Sequence, residues 1–132
     1  MQHGDDLSLV HLVDAGLDRL PLPGAGDTMT RWRALAAVAA HDLSLVKLFE
    51  GHTDALAILA ELRPAGEAAP PEGSRWGTWC AEPPDARLAL AADDLVPLQV
   101  RLSGTKSWCS GAASVTHAVV SCWNDAGQPC LA

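Results

Sequence analysis

Hydrophobic residues recur at intervals of three and four near the start of the chain. The recurring positions are Leu9, Leu12, Val13, Gly16, Leu17 and Leu20. One face of an amphipathic helix has this spacing. Pro21 and Pro23 interrupt the pattern, so we predict a helix that ends before them.

Three more helical segments are predicted before residue 63. Asp27 or Thr28 is a candidate N-cap for the second segment. One side of that segment carries Trp32, Leu35, Ala36, Ala39 and Ala40. A third segment begins near Asp42 and a fourth covers Thr53 to Leu62, with Gly51 predicted to break the helix between them.

The chain changes character after Arg63. Proline, glycine and alanine dominate residues 64–74, a composition that sustains neither helical nor strand periodicity. Short runs rich in Trp, Val and Thr follow, and these runs predict strands. The runs are Trp76 to Cys80, Leu98 to Leu102, Ser107 to Cys109 and His117 to Trp123, with Ser103 and Gly104 predicted as a turn. We therefore predict an α+β fold, with a helical domain (1–63), a linker (64–74) and the opening strands of an antiparallel β domain (75–132).

Composition and charge exclude several classes of protein. Nine Lys and Arg face sixteen Asp and Glu, for a net charge of -7, and no basic cluster favours nucleic acid as a partner. The apolar stretch from Ala34 to Leu48 is shorter than the roughly 20 residues that cross a bilayer. No membrane span is expected, and a cytoplasmic location is the default.

The four cysteines are widely spaced, with no C-x-x-C pair typical of zinc or thioredoxin-like chemistry. We interpret them as buried free thiols. His41 and His52 lie eleven residues apart, about 16 Å along a helix, so they cannot share a metal ion unless the chain bends at Gly51. Solvated or helix-capping roles are expected for both, and Lys106 is expected to reach solvent or pair with an acid.

The predicted strands leave open edges and a half-covered apolar face. From this we expect a truncated β domain, with a complementary segment missing or supplied by another subunit. Trp32, Trp76, Trp79 and Trp123 are interpreted as packing residues or interface anchors.

Two ordered motifs in the β half are more specific. The first is Gly77-Thr78-Trp79-Cys80-Ala81-Glu82-Pro83-Pro84, and the second is Leu102-Ser103-Gly104-Thr105-Lys106-Ser107-Trp108-Cys109-Ser110-Gly111. Their order and spacing resemble the opening of the middle β domain of acyl-CoA dehydrogenases, which follows an all-helical N-terminal domain. The resemblance extends over the chain from about Leu7, although only the two motifs are specific.

The resemblance implies an FAD-dependent oxidoreductase of fatty acid metabolism that oxidises an acyl-CoA thioester. In such enzymes the aromatic and hydroxyl residues of the second motif face the flavin, and these correspond to Trp108 and Ser110. Cys109 lies between them. Backbone N–H groups at Cys80 and Ala81 border the flavin as well, although Ala81 replaces a Thr whose hydroxyl would add a hydrogen bond.

The resemblance also implies what this chain does not supply. Relatives continue the first motif as Gly-x-Gly-Ser-Asp, whereas Arg87 stands here in place of the Ser. The catalytic base and much of the FAD contact surface belong to the C-terminal domain and a neighbouring subunit in a homo-oligomer, so no catalytic residue is assigned, and Glu82 is interpreted as a structural acceptor. We expect a fragment that is inactive alone and does not retain FAD. The alternatives are a non-catalytic module that pairs through its open β edge, and a small protein whose resemblance no longer reflects function.

Overall fold

The structure is a computed structural model, and it describes residues 7–92 and 99–132. The helices are α1 (Leu9–Asp14), α2 (Thr28–His41) and α3 (Leu43–Leu62). The strands are β1 (Trp76–Trp79), β2 (Leu88–Ala92), β3 (Val100–Gly104), β4 (His117–Trp123) and β5 (Pro129–Leu131). Three helices therefore precede five strands, which confirms the predicted α+β class. Leu98, where one predicted strand begins, lies outside the described residues.

Strand β4 is the centre of a mixed sheet. It runs parallel to β1 and antiparallel to β5, and it meets β2 in parallel at the pair Ala89 and Trp123. Strands β2 and β3 form an antiparallel hairpin beside it. The expected sheet was antiparallel. The pairing is mixed because the long connection between β1 and β4 contains the β2–β3 hairpin, which brings β4 back in the direction of β1.

The strand predictions were correct at β4 and close at β1, but other parts of the β half differ. Strands β2 and β5 were not predicted, and the β2 sequence is rich in alanine, which signals a strand weakly. Ser107 to Cys109 form no strand. Trp108 has a left-handed backbone with φ of 59°, which an extended strand excludes. Ser103 and Gly104, predicted as a turn, end β3.

Helix α3 is one continuous helix, so the predicted break at Gly51 was wrong. The Asp42 side chain caps it by accepting from the backbone N–H groups of Ser44 and Leu45 at 2.6 and 2.9 Å. A glycine inside a helix costs about 1 kcal/mol, which packing of the helix can offset. Here Gly51 lies where β1 approaches, and the Thr78 hydroxyl donates to the Gly51 carbonyl oxygen at 2.7 Å.

The first two helices differ from prediction in extent and orientation. Helix α1 ends at Asp14, well before the prolines, and Gly16 follows it with φ of 68°. Asp27, one of the two N-cap candidates, caps α2 by accepting from the Thr30 N–H at 3.3 Å. However, the side of α2 that carries Arg31 faces the interior, and Trp32 is 60% exposed.

Arg31 explains that orientation, because its guanidinium links three segments inside the helical half. It donates to the Thr53 hydroxyl at 3.2 Å, to the Asp54 carboxylate at 2.7 Å and to the Pro21 carbonyl oxygen at 3.3 Å. A buried charge is stable only when it is paired and hydrogen-bonded. Charge neutralisation, more than the apolar pattern, therefore sets which side of α2 faces inward.

Two apolar clusters occupy the interior. The helical cluster contains Leu9, Leu12, Val38, Leu45 and Phe49. The sheet cluster contains Leu88, Val120 and Cys122. Helix α3 packs against α2 and also against β1, so it connects the two halves of the chain.

His52 completes that connection, and the expectation of a solvated or capping role for it was wrong. Its side chain is fully buried. The Trp76 backbone N–H donates to His52 Nδ1 at 3.1 Å, and His52 Nε2 lies 3.1 Å from the Asp18 carboxylate. Because Nδ1 accepts, the proton of the neutral ring is on Nε2, where it is donated to Asp18. One imidazole thus joins α3, the segment after α1, and the first residue of β1.

We expect His52→Ala to lower the free energy of unfolding by about 2–4 kcal/mol. The change leaves the Trp76 N–H and the Asp18 carboxylate without their buried partner and opens a cavity. Urea denaturation at pH 7 measures the effect. The matched control is His41→Ala at the exposed end of α2, where a change within about 0.5 kcal/mol is expected. Equal effects of the two substitutions would contradict the role given to His52.

Candidate functional site

The first β motif is fixed in place by a polar cluster centred on Glu82. Its carboxylate accepts from the Trp123 indole N–H at 2.9 Å, lies 2.8 Å from the Ser121 hydroxyl and lies 3.4 Å from Lys106 Nζ. Lys106 also donates to the Ser121 carbonyl oxygen at 3.2 Å. Glu82 is thus a structural acceptor, as expected, and it joins the two motifs to β4.

Lys106 pairs with an acid and does not reach solvent; pairing was the second of the two roles expected for it. Its side chain is only 6% exposed and it pairs with an acid, Glu82, whose side chain is 18% exposed. An ammonium group this far from water needs partners for all three of its donor protons. Glu82 and the hydroxyl and carbonyl oxygens of Ser121 supply them.

These contacts lower the pKa of the Glu82 carboxyl below its ordinary value. The hydrogen bond from Trp123 is the largest cause, followed by the one from Ser121, while partial burial opposes them and the positive charge of Lys106 adds to them. The carboxylate is therefore held in its charged form. Arg87 stacks its guanidinium over the Trp123 ring, 4.2 Å from the centroid, at the outer side of the same cluster.

The second motif folds into a compact turn beside helix α3. The Trp79 indole N–H donates to the Ser110 carbonyl oxygen at 3.1 Å, which ties the turn to the end of β1. Gly111 follows with φ of 75°, and a Cβ atom there would lie 2.5 Å from Leu48 Cδ2. A side chain at this position would therefore be strained and would also collide with α3.

Between the two motifs and α3 lies a cleft of about 230 Å³. Its lining includes Ala81 from the first motif, and Trp108 and Ser110 from the second. Leu48, Gly51, Trp76, Gly77, Thr78, Trp79, Val115 and Lys47 line the rest. Three of the five residues singled out in the sequence therefore border one cavity, although they are up to 29 positions apart, from Ala81 to Ser110.

The other two predicted residues lie outside that lining. Cys80 is exposed, and its carbonyl oxygen lies 3.1 Å from the Ser121 hydroxyl. The Cys109 thiol lies 3.3 Å from the Lys106 carbonyl oxygen and 3.8 Å from that of Ser107. Cys80 thus makes its contact through the backbone, and the Cys109 thiol contacts backbone carbonyl oxygens. Neither cysteine lines the cleft.

Trp108 is the most unusual residue of the cleft. Its indole is 67% exposed, and it is the one non-glycine residue with positive φ in the described ranges 7–92 and 99–132. The Ser110 side chain is also exposed, and its hydroxyl has no hydrogen-bond partner within the described part of the chain. An aromatic surface and a hydroxyl are thus both available to a ligand.

The sequence did not identify Ser121 as a partner of Glu82, and it assigned Trp123 only to packing or to an interface. Ser121 and Trp123 are two positions apart on β4, so they project from the same face of the sheet and both reach Glu82. Their alternation within a correctly predicted strand was an available signal. The pairing of His52 with Asp18, 34 positions away, left no local signal in the sequence.

We expect the free energy of unfolding to depend on Glu82 at acidic pH. Because the folded pKa is depressed, the stabilising contribution is present above the ordinary glutamate pKa and is lost as pH falls through the lower folded value. Urea midpoints between pH 3 and pH 6 should therefore fall more steeply for the wild type than for Glu82→Gln, which should also be less stable at pH 7. Glu67→Gln, at an exposed linker position, is the control and should follow the wild-type profile. Parallel wild-type and Glu82→Gln curves would contradict this assignment.

No helix in residues 7–92 and 99–132 has the length and apolarity needed to cross a membrane. The same residues contain no group of three His, Cys, Asp or Glu side chains placed to hold a metal ion. Comparison with known protein families, with curated proteins and with solved structures found no match to this chain.

Proposed function

We propose that the cleft binds the isoalloxazine ring of FAD, and that the chain corresponds to the helical domain and the first strands of the middle β domain of an acyl-CoA dehydrogenase-like flavoprotein. The observation that carries the proposal is Trp108, which exposes its indole at the cleft from a left-handed backbone. Such strain costs about 1–3 kcal/mol and is concentrated at functional sites. The ring is proposed to be a flavin because the two sequence motifs resemble those of acyl-CoA dehydrogenases.

The chemistry of the lining supports a flat aromatic ligand. Trp76, Trp79 and Trp108 offer aromatic surface, while Gly51 and Ala81 leave space. The volume of about 230 Å³ is smaller than the roughly 300–1,000 Å³ of pockets that enclose a whole drug-sized ligand. The cleft therefore suits one ring system and leaves the rest of the dinucleotide outside.

Each cleft residue has a defined task under this proposal. Trp108 would stack on the ring and Ser110 would donate a hydrogen bond to its N5 edge, which orients the ring. Bound FAD would supply hydride acceptance from the β-carbon of an acyl-CoA thioester. Ala81 contributes no side-chain hydrogen bond, which weakens binding by about 1 kcal/mol compared with a hydroxyl residue.

Glu82 is not the base that removes the α-proton under this proposal. Its carboxylate is already occupied by Trp123, Ser121 and Lys106. Its lowered pKa also makes it a weak proton acceptor at neutral pH. A base from another part of the parent enzyme is therefore required. Under the same proposal, a homo-oligomeric partner or a further segment would complete the FAD site, and the protein would act in the cytoplasm.

Titration of riboflavin and of FAD into the purified chain, followed by flavin fluorescence anisotropy, tests the proposal. We expect weak, reversible binding of both, with no FAD retained on gel filtration and no acyl-CoA-dependent bleaching. Trp108→Ala should weaken binding by up to about tenfold, since aromatic stacking contributes about 0.5–1.5 kcal/mol. Ser110→Ala should weaken it by about fivefold for one neutral hydrogen bond.

Trp32→Ala is the matched control, because Trp32 is a similarly exposed indole on helix α2 and does not line the cleft. It should bind both flavins with wild-type affinity. Equal weakening in Trp32→Ala, or no detectable riboflavin binding by a folded wild-type chain, would refute the flavin site.

A second candidate function is a non-catalytic module that pairs with another chain through the β2–β3 hairpin. It is favoured by β3, whose Val100 and Leu102 side chains are 52% and 40% exposed. Exposed apolar residues on a terminal strand of a sheet invite pairing with a further strand. Sedimentation velocity tests it: concentration-dependent association that Leu102→Lys abolishes is expected, and a monomer at all concentrations would contradict it.

A further inference from the structure

Two cysteines lie directly opposite each other on neighbouring strands. Cys122 of β4 and Cys130 of β5 are register partners in the antiparallel pair. Side chains of directly opposed residues project from the same face of a sheet. Cys130 accordingly packs against the sheet cluster that contains Cys122.

The backbone separation of the pair is compatible with a disulfide. Val120 and Ala132 exchange two backbone hydrogen bonds of 2.9 and 3.0 Å, so they form a hydrogen-bonded pair. Because such pairs alternate along an antiparallel ladder, Cys122 and Cys130, two positions further on, are also of this type. Their Cα atoms are then about 5.5 Å apart, within the roughly 4.4–6.8 Å that disulfides span. Their Cβ atoms are also about 5.5 Å apart in a pair of this type, which is wider than the roughly 3.5–4.5 Å of a relaxed disulfide. A disulfide here therefore requires a small shift of β5 and is easily reduced.

The two thiols differ in their exposure. Cys122 is fully buried, and burial raises the pKa of its thiol, with Cys130 as the next cause. Cys130 is half-buried, and its sulfur lies 3.6 Å from the Gln128 carbonyl oxygen. Cys130 is therefore the thiol that a small oxidant reaches first. The Cys122 sulfur lies 3.7 Å from the Cys130 carbonyl oxygen, beside the residue with which it would form the bond.

We propose that Cys122 and Cys130 are a reversible oxidation site that forms a cross-strand disulfide with hydrogen peroxide. In the first step the Cys130 thiolate attacks peroxide, the O–O bond breaks, an S–O bond forms and hydroxide leaves. In the second step Cys122 gives up its proton as it attacks the Cys130 sulfur, the S–O bond breaks, the S–S bond forms and a second hydroxide leaves; because burial disfavours the Cys122 thiolate, this is the slower step. The protons from the two thiols convert both hydroxides to water.

The bond would fasten the shortest strand of the sheet. β5 has three residues and contacts the sheet through β4. A covalent link at its central residue restricts local opening of the pair, which otherwise occurs readily in short edge segments. This site is independent of the flavin proposal, because neither cysteine lines the cleft.

The test treats the purified chain with hydrogen peroxide, blocks the remaining thiols and digests with chymotrypsin. Cleavage after Trp108 and Trp123 separates a peptide with Cys109 and Cys122 from a peptide with Cys130. We expect the two peptides to be joined by a bond that dithiothreitol breaks, with loss of two of the four thiols. The amide of Ala132, which donates to Val120, should exchange its hydrogen at least tenfold more slowly in the oxidised chain.

Four variants identify the cysteines involved. Cys109→Ser and the exposed-thiol control Cys80→Ser should keep the link, whereas Cys130→Ser and Cys122→Ala should abolish it. Cys130 is half-buried and Cys122 is buried, so a folding defect in one of these two variants would not explain loss of the link in both. The proposal is overturned if Cys109→Ser removes the link, or if Cys130 accumulates sulfinic acid while Cys122 remains a free thiol.

Discussion

The imidazole of His52 is the contact on which the relation between the helices and the sheet depends. It is buried, and both ring nitrogens are used, one by the Trp76 amide and the other by Asp18. In a medium of low dielectric constant, losing one partner leaves the other without compensation. The relative positions of α3, the segment after α1 and the start of β1 are therefore constrained together, because His52 contacts all three.

The candidate cleft follows from this constraint. His52 and the hydrogen bond from Thr78 to Gly51 hold β1 against α3, so the end of β1 is positioned where Trp79 reaches the Ser110 carbonyl oxygen. On the far side, Glu82 ties the first motif to β4 through Trp123 and Ser121. The left-handed backbone of Trp108 is thus flanked by fixed elements, which is the condition under which local strain persists. The proposed flavin contact belongs to this turn.

Much of the fold was predictable from the sequence, and the failures have physical causes. Local signals located α2 with its Asp27 cap and strand β4 correctly. Helical spacing also located α1 and α3, although α1 is shorter than predicted and α3 joins two predicted segments. The apolar pattern of α2 did not reveal that Arg31 is buried, because the partners of its charge lie on α3. Gly51 failed as a helix break because a strand approaches the helix there. Such contacts depend on partners that are distant in the chain.

The candidate site was also predictable only in part. The two motifs brought Ala81, Trp108 and Ser110 to attention, and these three residues border one cleft. Cys80 and Cys109 belong to the same motifs but direct no sulfur into it, since motif membership does not determine which way a side chain points. The support provided by His52 arises from packing between the two halves, which neither half encodes alone.

Hydrogen exchange at the Trp76 amide under native conditions tests the central claim most directly. This N–H donates to a buried ring nitrogen rather than to a strand, so its protection reports the junction between α3 and β1. We predict that the Trp76 amide exchanges only with global unfolding, as slowly as the most protected amides of α3. Exchange of the Trp76 amide at a rate typical of an open edge strand, with α3 still protected, would contradict it.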